Sequence, residues 1–379
     1  MTATISEYLD TNRAEILEFF SQLHNIAEPA FREVKTSAFL KLHLLDAGFE
    51  VTSDFAGPAL LGRYDSGNAG PTVCLRADMD ALTYERDGQL TYIHSCGHDA
   101  NCTAAFWAAK ALLEAKRIRR GTMLVLFQPA EENLQGAEAV IQSGILRGTD
   151  YMIATHLRPR DELPMGLVSP AVLHGASGHM KLVVYGSDAH GARPHQGVNA
   201  IQAAAVILGA VNALPFDPSV PHSIKPTKMS SGGSANNVIP DRAELVFDLR
   251  AQTNELMEQQ KQAIEKAAQK TAEAMGASVK TEWLGGVPAA SRCEDLIRIA
   301  TKAIQSNLGE AALGREVITP GGEDFHRYPL AIQGLKSTVL GIGADLIPGL
   351  HKADMSFDHL AMLNAITALY GIVESICRE

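Results

Sequence analysis

The sequence predicts an α/β fold made of two nested domains. Up to about residue 160, short apolar runs alternate with helical stretches, which is typical of βαβ units and a mixed, mostly parallel sheet. Between residues 171 and 284 the order becomes strand, helix, two strands, helix and strand, the βαββαβ order of ferredoxin-like domains. The rest of the chain returns to the first pattern. We therefore predict one domain over residues 1–170 and 285–379, with a second domain inserted at residues 171–284.

The elements of the larger domain follow from its apolar periodicity. The first helix is expected at the N-terminus, where apolar residues recur on one face: Ile5, Leu9, Ile16, Phe19 and Phe20. Further helices are predicted over residues 103–116, 295–307 and 360–377. Buried strands are predicted over residues 72–75, 122–127, 151–155 and 337–341.

The elements of the inserted domain have longer alternating patterns. Strands are predicted over residues 179–185, 222–229, 243–250 and 278–283. Helices are predicted over residues 199–214 and 254–275. Together they are sufficient for a small domain that folds around its own core.

Composition limits the classes of function. Of 379 residues, 46% are apolar and 20% are charged, which is typical of a globular protein and excludes a disordered chain. The formal charge of −10 argues against nucleic acid as a partner, because phosphate binding requires a basic surface. Five scattered cysteines do not form a disulfide framework. With no secretory leader and no long apolar span evident, we expect a cytoplasmic protein that does not interact with membranes.

The candidate metal ligands and catalytic residues are expected near the ends of the predicted strands. Ligands of parallel sheets bind at the carboxyl ends of the strands. Cys96 and His98 flank a glycine, a spacing that can direct two metal ligands toward one point, although a buried thiol beside an ordinary histidine explains C-x-H equally well. Glu131 and Glu132 follow a buried strand. Such a pair is usually a solvated loop, but here one carboxylate could bind a metal while the other takes a proton from water.

Two single histidines, His156 and His351, are ambiguous when each is considered alone. Convergence changes the interpretation, because four candidate ligands fall where strand ends gather: Cys96, His98, Glu132 and His156. With His351 there are five candidates, which exceed the needs of one tetrahedral ion and favour a pair of ions.

Two polar loops of the inserted domain are candidates for substrate contacts. Residues 188–195 include His190 and His195, and residues 232–240 include Asn237. The loops are either ordinary polar turns or a lid that brings His190 and Asn237 to a substrate carbonyl as oxyanion donors.

The motifs as a set resemble the M20 metallopeptidases. The resemblance is strongest to the amidohydrolase branch, which includes hippurate hydrolases, N-acyl-amino-acid amidohydrolases and plant auxin-conjugate hydrolases. The matching motifs, in chain order, are RADMDAL, CGHD, FQPAEE, the TH of THLRP, AHGARPHQGVNAI, NVIP, DLR, GGEDF and the closing His351. They extend over nearly the whole chain.

The resemblance implies a set of roles. Two divalent ions, zinc or else manganese, cobalt or nickel, would be held by Cys96, His98, Glu132, His156 and His351. Glu131 would be the general base, Asp80 a supporting carboxylate and His190 a catalytic transition-state contact. The substrate contacts would be Asn237, Arg250 and His195. The family fold has two domains and is often dimeric through the smaller one, so a homodimer and a lid or dimerisation role for the inserted domain are expected.

The sequence therefore predicts a metal-dependent amidohydrolase that cleaves an N-acyl amino acid or a similar small amide. Two positions depart from the branch: Asn101 replaces the histidine of CGHD-x-H, and Thr83 replaces a proline. The alternatives are a dipeptidase or aminopeptidase-type hydrolase of the same superfamily, a non-catalytic binding relative, and a cysteine hydrolase that uses Cys96. Only the last of these hydrolases would be insensitive to chelators.

Overall fold

The structure is a computed structural model that describes residues 4–378. Its α-helices are α1 (Ile5–Asn25), α2 (Val34–Asp46), α3 (His98–Glu114), α4 (Gly136–Ser143), α5 (Ala200–Asn212), α6 (Asn254–Ala274), α7 (Glu294–Leu308), α8 (Tyr328–Ala331) and α9 (Ala361–Cys377). Short 3-10 helices cover Pro194–Gln196, Glu310–Ala312 and Asp324–Arg327.

The strands are β1 (Glu50–Ser53), β2 (Leu60–Asp65), β3 (Thr72–Asp78), β4 (Leu82–Arg86), β5 (Gln89–Ile93), β6 (Thr122–Gln128), β7 (Tyr151–Pro159), β8 (Val168–Ser169), β9 (Val172–His174), β10 (Ala176–Tyr185), β11 (Ala189–His190), β12 (His222–Ser231), β13 (Val238–Ile239), β14 (Arg242–Ala251), β15 (Ser278–Val287), β16 (Val317–Thr319) and β17 (Lys336–Leu346).

The chain divides into two compact units. The large unit comprises the chain up to Leu173, then Ser291–Ile318 and the residues from Asp324 onward. The inserted unit comprises His174–Ala290 and Thr319–Glu323. Strand β15 continues past residue 284, where the sequence places the end of the inserted domain, because its last residues pair with the start of β10.

The large unit is built on a seven-stranded sheet in the order β1-β2-β6-β3-β7-β17-β8. The four central strands, β6, β3, β7 and β17, are parallel neighbours, and antiparallel strands flank them on both sides. Both faces are buried: Val73 and Leu75 of β3 enter the core beneath α1, α3, α7 and α9, whereas Cys74 enters the core beside α4. The predicted mixed, mostly parallel sheet is thus confirmed.

The first helix shows how local sequence sets an element. Thr4 caps α1, since its hydroxyl accepts a hydrogen bond from the Glu7 amide at 3.2 Å while the Glu7 carboxylate accepts one from the Thr4 amide at 2.8 Å. The apolar face predicted from the sequence is buried at Leu9, Ile16, Phe19 and Phe20. The sequence analysis missed nine of the strands: β1, β2, β4, β5, β8, β9, β11, β13 and β16. They lie outside the parallel core, and β1 and β5 have few buried residues to produce an apolar run.

The inserted unit is a four-stranded antiparallel sheet in the order β12-β14-β10-β15. Helices α5 and α6 bury their apolar residues against it, in a core separate from those of the large unit. This is the ferredoxin-like arrangement that the βαββαβ order predicts. In residues 4–378, no helix combines the length and the apolar character that a membrane crossing requires.

Candidate metal centre and active site

A cluster of metal-ligand side chains lies in the large unit, where β3, β6 and β7 end. We call Cys96, His98, Glu132, His156 and His351 the donor cluster. Its members form two overlapping groups, Cys96 with His98 and His156, and Cys96 with Glu132 and His351. Within each group the donor atoms lie within 4.8 Å of one another. All five candidate ligands from the sequence are therefore brought together, and Cys96 belongs to both groups.

Gly97 allows Cys96 and His98 to face the same point. It precedes α3 and has a φ of 85°, a left-handed conformation that residues with a side chain disfavour. A Cβ atom at this position would lie 2.7 Å from Cδ1 of Leu157. The chain therefore turns between the two ligands at a position that only glycine fits.

Asp80 orients two members of the donor cluster. The Nδ1 atom of His98 lies 2.9 Å from the Asp80 carbonyl oxygen and 3.2 Å from its Oδ1 atom. The other carboxylate oxygen, Oδ2, accepts the backbone N–H of Glu132 at 3.0 Å. A histidine held through Nδ1 presents Nε2 as its ligand atom, which is how carboxylates commonly orient metal-binding histidines.

The donor cluster fits a pair of divalent cations. Among the described residues, Nε2 of His98 and Oε1 of Glu132 are buried and have no hydrogen-bond partner, although they lie 3.8 Å apart. Burying such atoms without a partner is costly, so they indicate a site for a ligand between them. Sulfur, imidazole and carboxylate donors together are those of zinc and neighbouring transition metals.

The electrostatics of the donor cluster also indicate cations. Burial, with the charge of Glu132, raises the pKa of the Cys96 thiol well above its ordinary value. Burial raises the pKa of Glu132 to about 7, with His98 opposing the shift and Asp80 adding to it. Burial thus disfavours the anionic forms of both groups, whereas a bound metal stabilises them.

His156 is already in the protonation state that a metal requires. Burial and the nearby Arg158 lower its pKa to about 3, so its ring is neutral at physiological pH. Its Nδ1 atom donates to the Leu157 carbonyl oxygen at 2.7 Å, while Nε2 lies 3.5 Å from Cys96 Sγ. Neutral imidazole with one nitrogen oriented toward the cluster is a metal ligand in its binding form.

His351 approaches the donor cluster from the loop that follows β17. Its backbone amide donates to the Ser95 carbonyl oxygen at 2.8 Å, which ties the loop to the segment that carries Cys96. Its Nε2 atom lies 3.6 Å from Oε2 of Glu132, and 54% of the side chain is exposed. It is therefore the ligand candidate on the open side of the cluster.

Glu131 is buried beside the donor cluster. Its carboxylate, His98 and Glu132 form a third group with ligand atoms within 4.8 Å of one another. The Asp324 backbone amide donates to Oε1 of Glu131 at 3.4 Å. A buried carboxylate at this position can accept a proton from water held among the cluster atoms.

A buried polar network lies behind the cluster, and it joins residues of the RADMDAL, FQPAEE and GGEDF motifs whose contacts the sequence analysis did not predict. Arg76 donates to Asp78 and to Asp324, each at 2.8 Å, and to Gln128 at 2.9 Å. Asp78 lies 3.6 Å from Nε2 of His98; burial alone would raise its pKa, but His98 and Arg76 hold that pKa below its ordinary value. A charged pair inside the apolar strand β3 was the available sequence signal for this network.

Asn101, one of the two departures from the family branch, belongs to the same network. Its Nδ2 atom donates to Asp78 at 2.8 Å, and its Oδ1 atom accepts from the Thr155 hydroxyl at 3.4 Å. Asparagine thus fits the position by satisfying both its donor and its acceptor. Thr83 lies on β4 opposite Tyr92.

The substrate-contact candidates lie in the inserted unit. His190 on β11 pairs with Val238 on β13, and the Gly191 amide donates to the Asn237 carbonyl oxygen at 2.8 Å, so the two polar loops are neighbours. Arg250 on β14 donates to Asp248 at 2.9 and 3.0 Å. His195 is exposed on the 3-10 helix that follows. Their roles toward a substrate stay predictions.

The family model for peptidase family M20/M25/M40 matches residues 74–375. The chain therefore belongs to this family, and it is a metal-dependent hydrolase of amide bonds. It falls in the amidohydrolase branch, which confirms the resemblance found in the sequence.

Three known proteins show the range of similarity. N-acetyl-L-cysteine deacetylase of Bacillus subtilis (strain 168) is 28% identical, covering 96% of this chain and 88% of its own length. IAA-amino acid hydrolase ILR1-like 2 of Arabidopsis thaliana is 30% identical, over 83% of this chain and 74% of its own. The solved structure of a dinuclear metal-binding M20 peptidase of Bacillus subtilis shares the fold. It has a TM-score of 0.83 at 23% identity, covering 97% of this chain and 99% of that one.

Proposed function

We propose that this hydrolase cleaves the amide bond of N-acyl amino acids, releasing a carboxylate and an amino acid. The observation that carries the proposal is the position of Glu131, a buried carboxylate grouped with His98 and Glu132 inside a set of metal donors. Two relatives are named for acylated amino acids, N-acetyl-L-cysteine and an IAA-amino acid conjugate, and this supports the same substrate class.

The donor cluster is proposed to hold two divalent ions. Cys96, His98 and His156 form one ligand group, and Cys96, Glu132 and His351 form the other. Bound divalent ions lower the pKa of water and polarise a carbonyl oxygen. Zinc fits the thiolate best, and manganese, cobalt and nickel are the other candidates.

Glu131 is proposed as the general base and acid. Its carboxylate takes the proton of the attacking water and returns it to the leaving amine, which makes amine departure possible. Asp80 holds His98 and the Glu132 amide in place. His190 and Asn237 are proposed to donate hydrogen bonds to the developing oxyanion. Arg250 is proposed to contact the substrate carboxylate, and His195 is proposed as a further substrate contact.

The quaternary structure and location remain predictions of the sequence. A homodimer formed through the inserted unit is proposed on the family resemblance. A cytoplasmic location without membrane partners stays an expectation from the sequence, and the formal charge of −10 argues against nucleic acid as a partner.

A Glu131→Gln variant tests the base assignment. Glutamine keeps the shape but accepts no proton, so kcat is expected to fall by roughly 10²–10⁴-fold with metal content unchanged. The assay is hydrolysis of a panel of N-acyl amino acids by metal-loaded protein, with metal measured by mass spectrometry. Glu15→Gln on the exposed face of α1 is the matched control.

Two outcomes would contradict the proposal. Wild-type turnover by fully loaded Glu131→Gln would exclude Glu131 as the base. Turnover of free dipeptides in preference to N-acyl amino acids would favour the dipeptidase alternative, which uses the same metal centre on a different substrate.

A further inference from the structure

The turn that carries Glu131 and Glu132 begins with an unusual backbone conformation. Ala130 is fully buried and has a φ of 58°, in the left-handed region that residues with a Cβ atom disfavour. The amides of Gln135 and Gly136 both donate to the Ala130 carbonyl oxygen, at 3.3 and 3.0 Å. We call residues 130–136 the Glu131 turn. The geometry of the Glu131 turn therefore depends on the disfavoured backbone conformation of Ala130.

Glu33 is the side chain that holds this residue. Its Oε1 atom accepts the backbone N–H of Ala130 at 2.8 Å, a contact that joins positions 97 residues apart. The side chain is fully buried, and its second oxygen, Oε2, has no hydrogen-bond partner within residues 4–378. Burying a carboxyl group is costly, and hydrogen bonds such as the one from the Ala130 amide offset part of that cost.

Glu33 does not serve the helix at whose N-terminus it stands. It occupies the N-cap position of α2, yet its side chain makes no capping hydrogen bond. Glu28 caps the helix instead, with Oε2 accepting the amides of Lys35 and Thr36 at 2.8 and 2.9 Å. Polar residues at an N-cap position ordinarily accept hydrogen bonds from the first helical amides, and here Glu28 does this instead of Glu33.

The far end of the Glu131 turn is also constrained. Gly136 begins α4, and a Cβ atom there would collide with the carbonyl oxygen of Pro129. The turn contains two non-glycine residues with a positive φ, Ala130 and Leu134, and Ala130 is the one next to Glu131. If Ala130 relaxed to a negative φ, Glu131 and Glu132 would both change position relative to His98.

We propose that Glu33 is a positioning residue that fixes the Glu131 turn through the Ala130 amide. The inference rests on the proposed function of Glu131 and Glu132, and it assigns a task to a carboxyl group outside the donor cluster. Misplacement of catalytic groups by about 1 Å can cost on the order of a hundredfold in rate. The hydrogen-bond acceptor of Glu33 is the required feature, and its charge is not.

Two substitutions separate these features. Glu33→Gln keeps an oxygen acceptor for the Ala130 amide and is expected to retain kcat within about twofold. Glu33→Leu removes the acceptor and is expected to lower kcat at least about tenfold, with KM changed by less than about threefold, because the turn moves and the substrate contacts do not. Both are assayed at full metal occupancy, beside Glu15→Leu as an exposed control.

Metal affinity gives a readout that does not depend on substrate. Because Glu132 lies on the same turn, Glu33→Leu is expected to weaken zinc binding by about 10–100-fold in competition with a fluorescent chelator, while Glu33→Gln does not. If wild-type protein hydrolyses no N-acyl amino acid, the proposed function fails, and the zinc titration still decides the role of Glu33.

A second-site change tests the backbone argument. Glycine adopts a positive φ without a penalty, so adding Ala130→Gly to Glu33→Leu is expected to restore kcat at least about threefold. Wild-type kcat and zinc affinity in Glu33→Leu would overturn the proposal, as would an equal loss in Glu33→Gln. If Glu33→Leu does not fold, Glu33→Asp, which withdraws the acceptor by one methylene, replaces it: a loss of kcat supports the proposal and wild-type kcat overturns it.

Discussion

Asp80 is the residue on which two donors of the cluster depend. Its carboxylate contacts Nδ1 of His98 with one oxygen and the Glu132 amide with the other, at 3.2 and 3.0 Å. It is buried, and it lies two residues after the end of β3, a strand that the sequence predicts. A single carboxylate thus fixes both an imidazole and a backbone segment that belong to different elements.

Asp80→Asn is therefore expected to weaken metal binding. The amide leaves one side-chain oxygen acceptor where two are used, so either the Glu132 amide loses its acceptor or His98 keeps only the Asp80 main-chain oxygen. Removing such a supporting group typically costs about 10–100-fold in metal affinity. The measurement is zinc competition with a chelator, and Asp161→Asn on an exposed turn is the control. Unchanged affinity in Asp80→Asn would show that the main-chain oxygen alone orients His98.

Strands β3 and β6 connect the cluster to the interior of the large unit. Arg76 of β3 contacts Gln128 of β6 and the carboxylates of Asp78 and Asp324, and the side chain is 1% exposed. Asp324 also accepts the Ala137 amide at 2.9 Å, which ties the network to the first turn of α4. The elements that frame the Glu131 turn are joined by this network.

Arg76→Met is expected to destabilise the protein strongly. Two buried carboxylates would lose their charged partner, and breaking a buried ion pair on one side costs about 3–5 kcal/mol. Urea unfolding of wild type and variant measures the free energy difference. Arg13→Met, which breaks the exposed pair with Asp10, is expected to change stability by less than about 1 kcal/mol. A loss of under about 1 kcal/mol in Arg76→Met would contradict the argument.

The elements also show what the sequence could predict. Cys96 and His98 are two residues apart, so local spacing identified them. Apolar runs predicted the strands that bring Glu132 and His156 to the same edge. The pairing of Arg76 with Asp324 spans 248 residues, and that of Glu33 with Ala130 spans 97. No periodicity records such contacts, because they depend on how helices and loops pack on the finished sheet.

At the level of the whole molecule, each unit carries its own core. In the inserted unit, α5 and α6 pack on the antiparallel sheet. The alternating apolar pattern of its strands allowed the βαββαβ order to be predicted from the sequence. The outer strands of the large unit were harder to predict, because β1 and β5 have few buried residues and β8 is only two residues long. Patterns of burial predicted the central architecture, and tertiary contacts determined the rest.

Glu33 also links the stability of the whole molecule to pH. Burial raises its pKa from 4.5 to about 7, so the folded protein holds a proton that the unfolded chain releases at lower pH. For a raised pKa, the stabilising contribution is complete below the unfolded value and is lost as pH rises through the folded value. Wild-type protein should therefore lose up to about 3 kcal/mol relative to Glu33→Gln between pH 4.5 and pH 8. Urea unfolding of both proteins across this range measures the difference, and a difference that does not vary with pH would contradict the prediction.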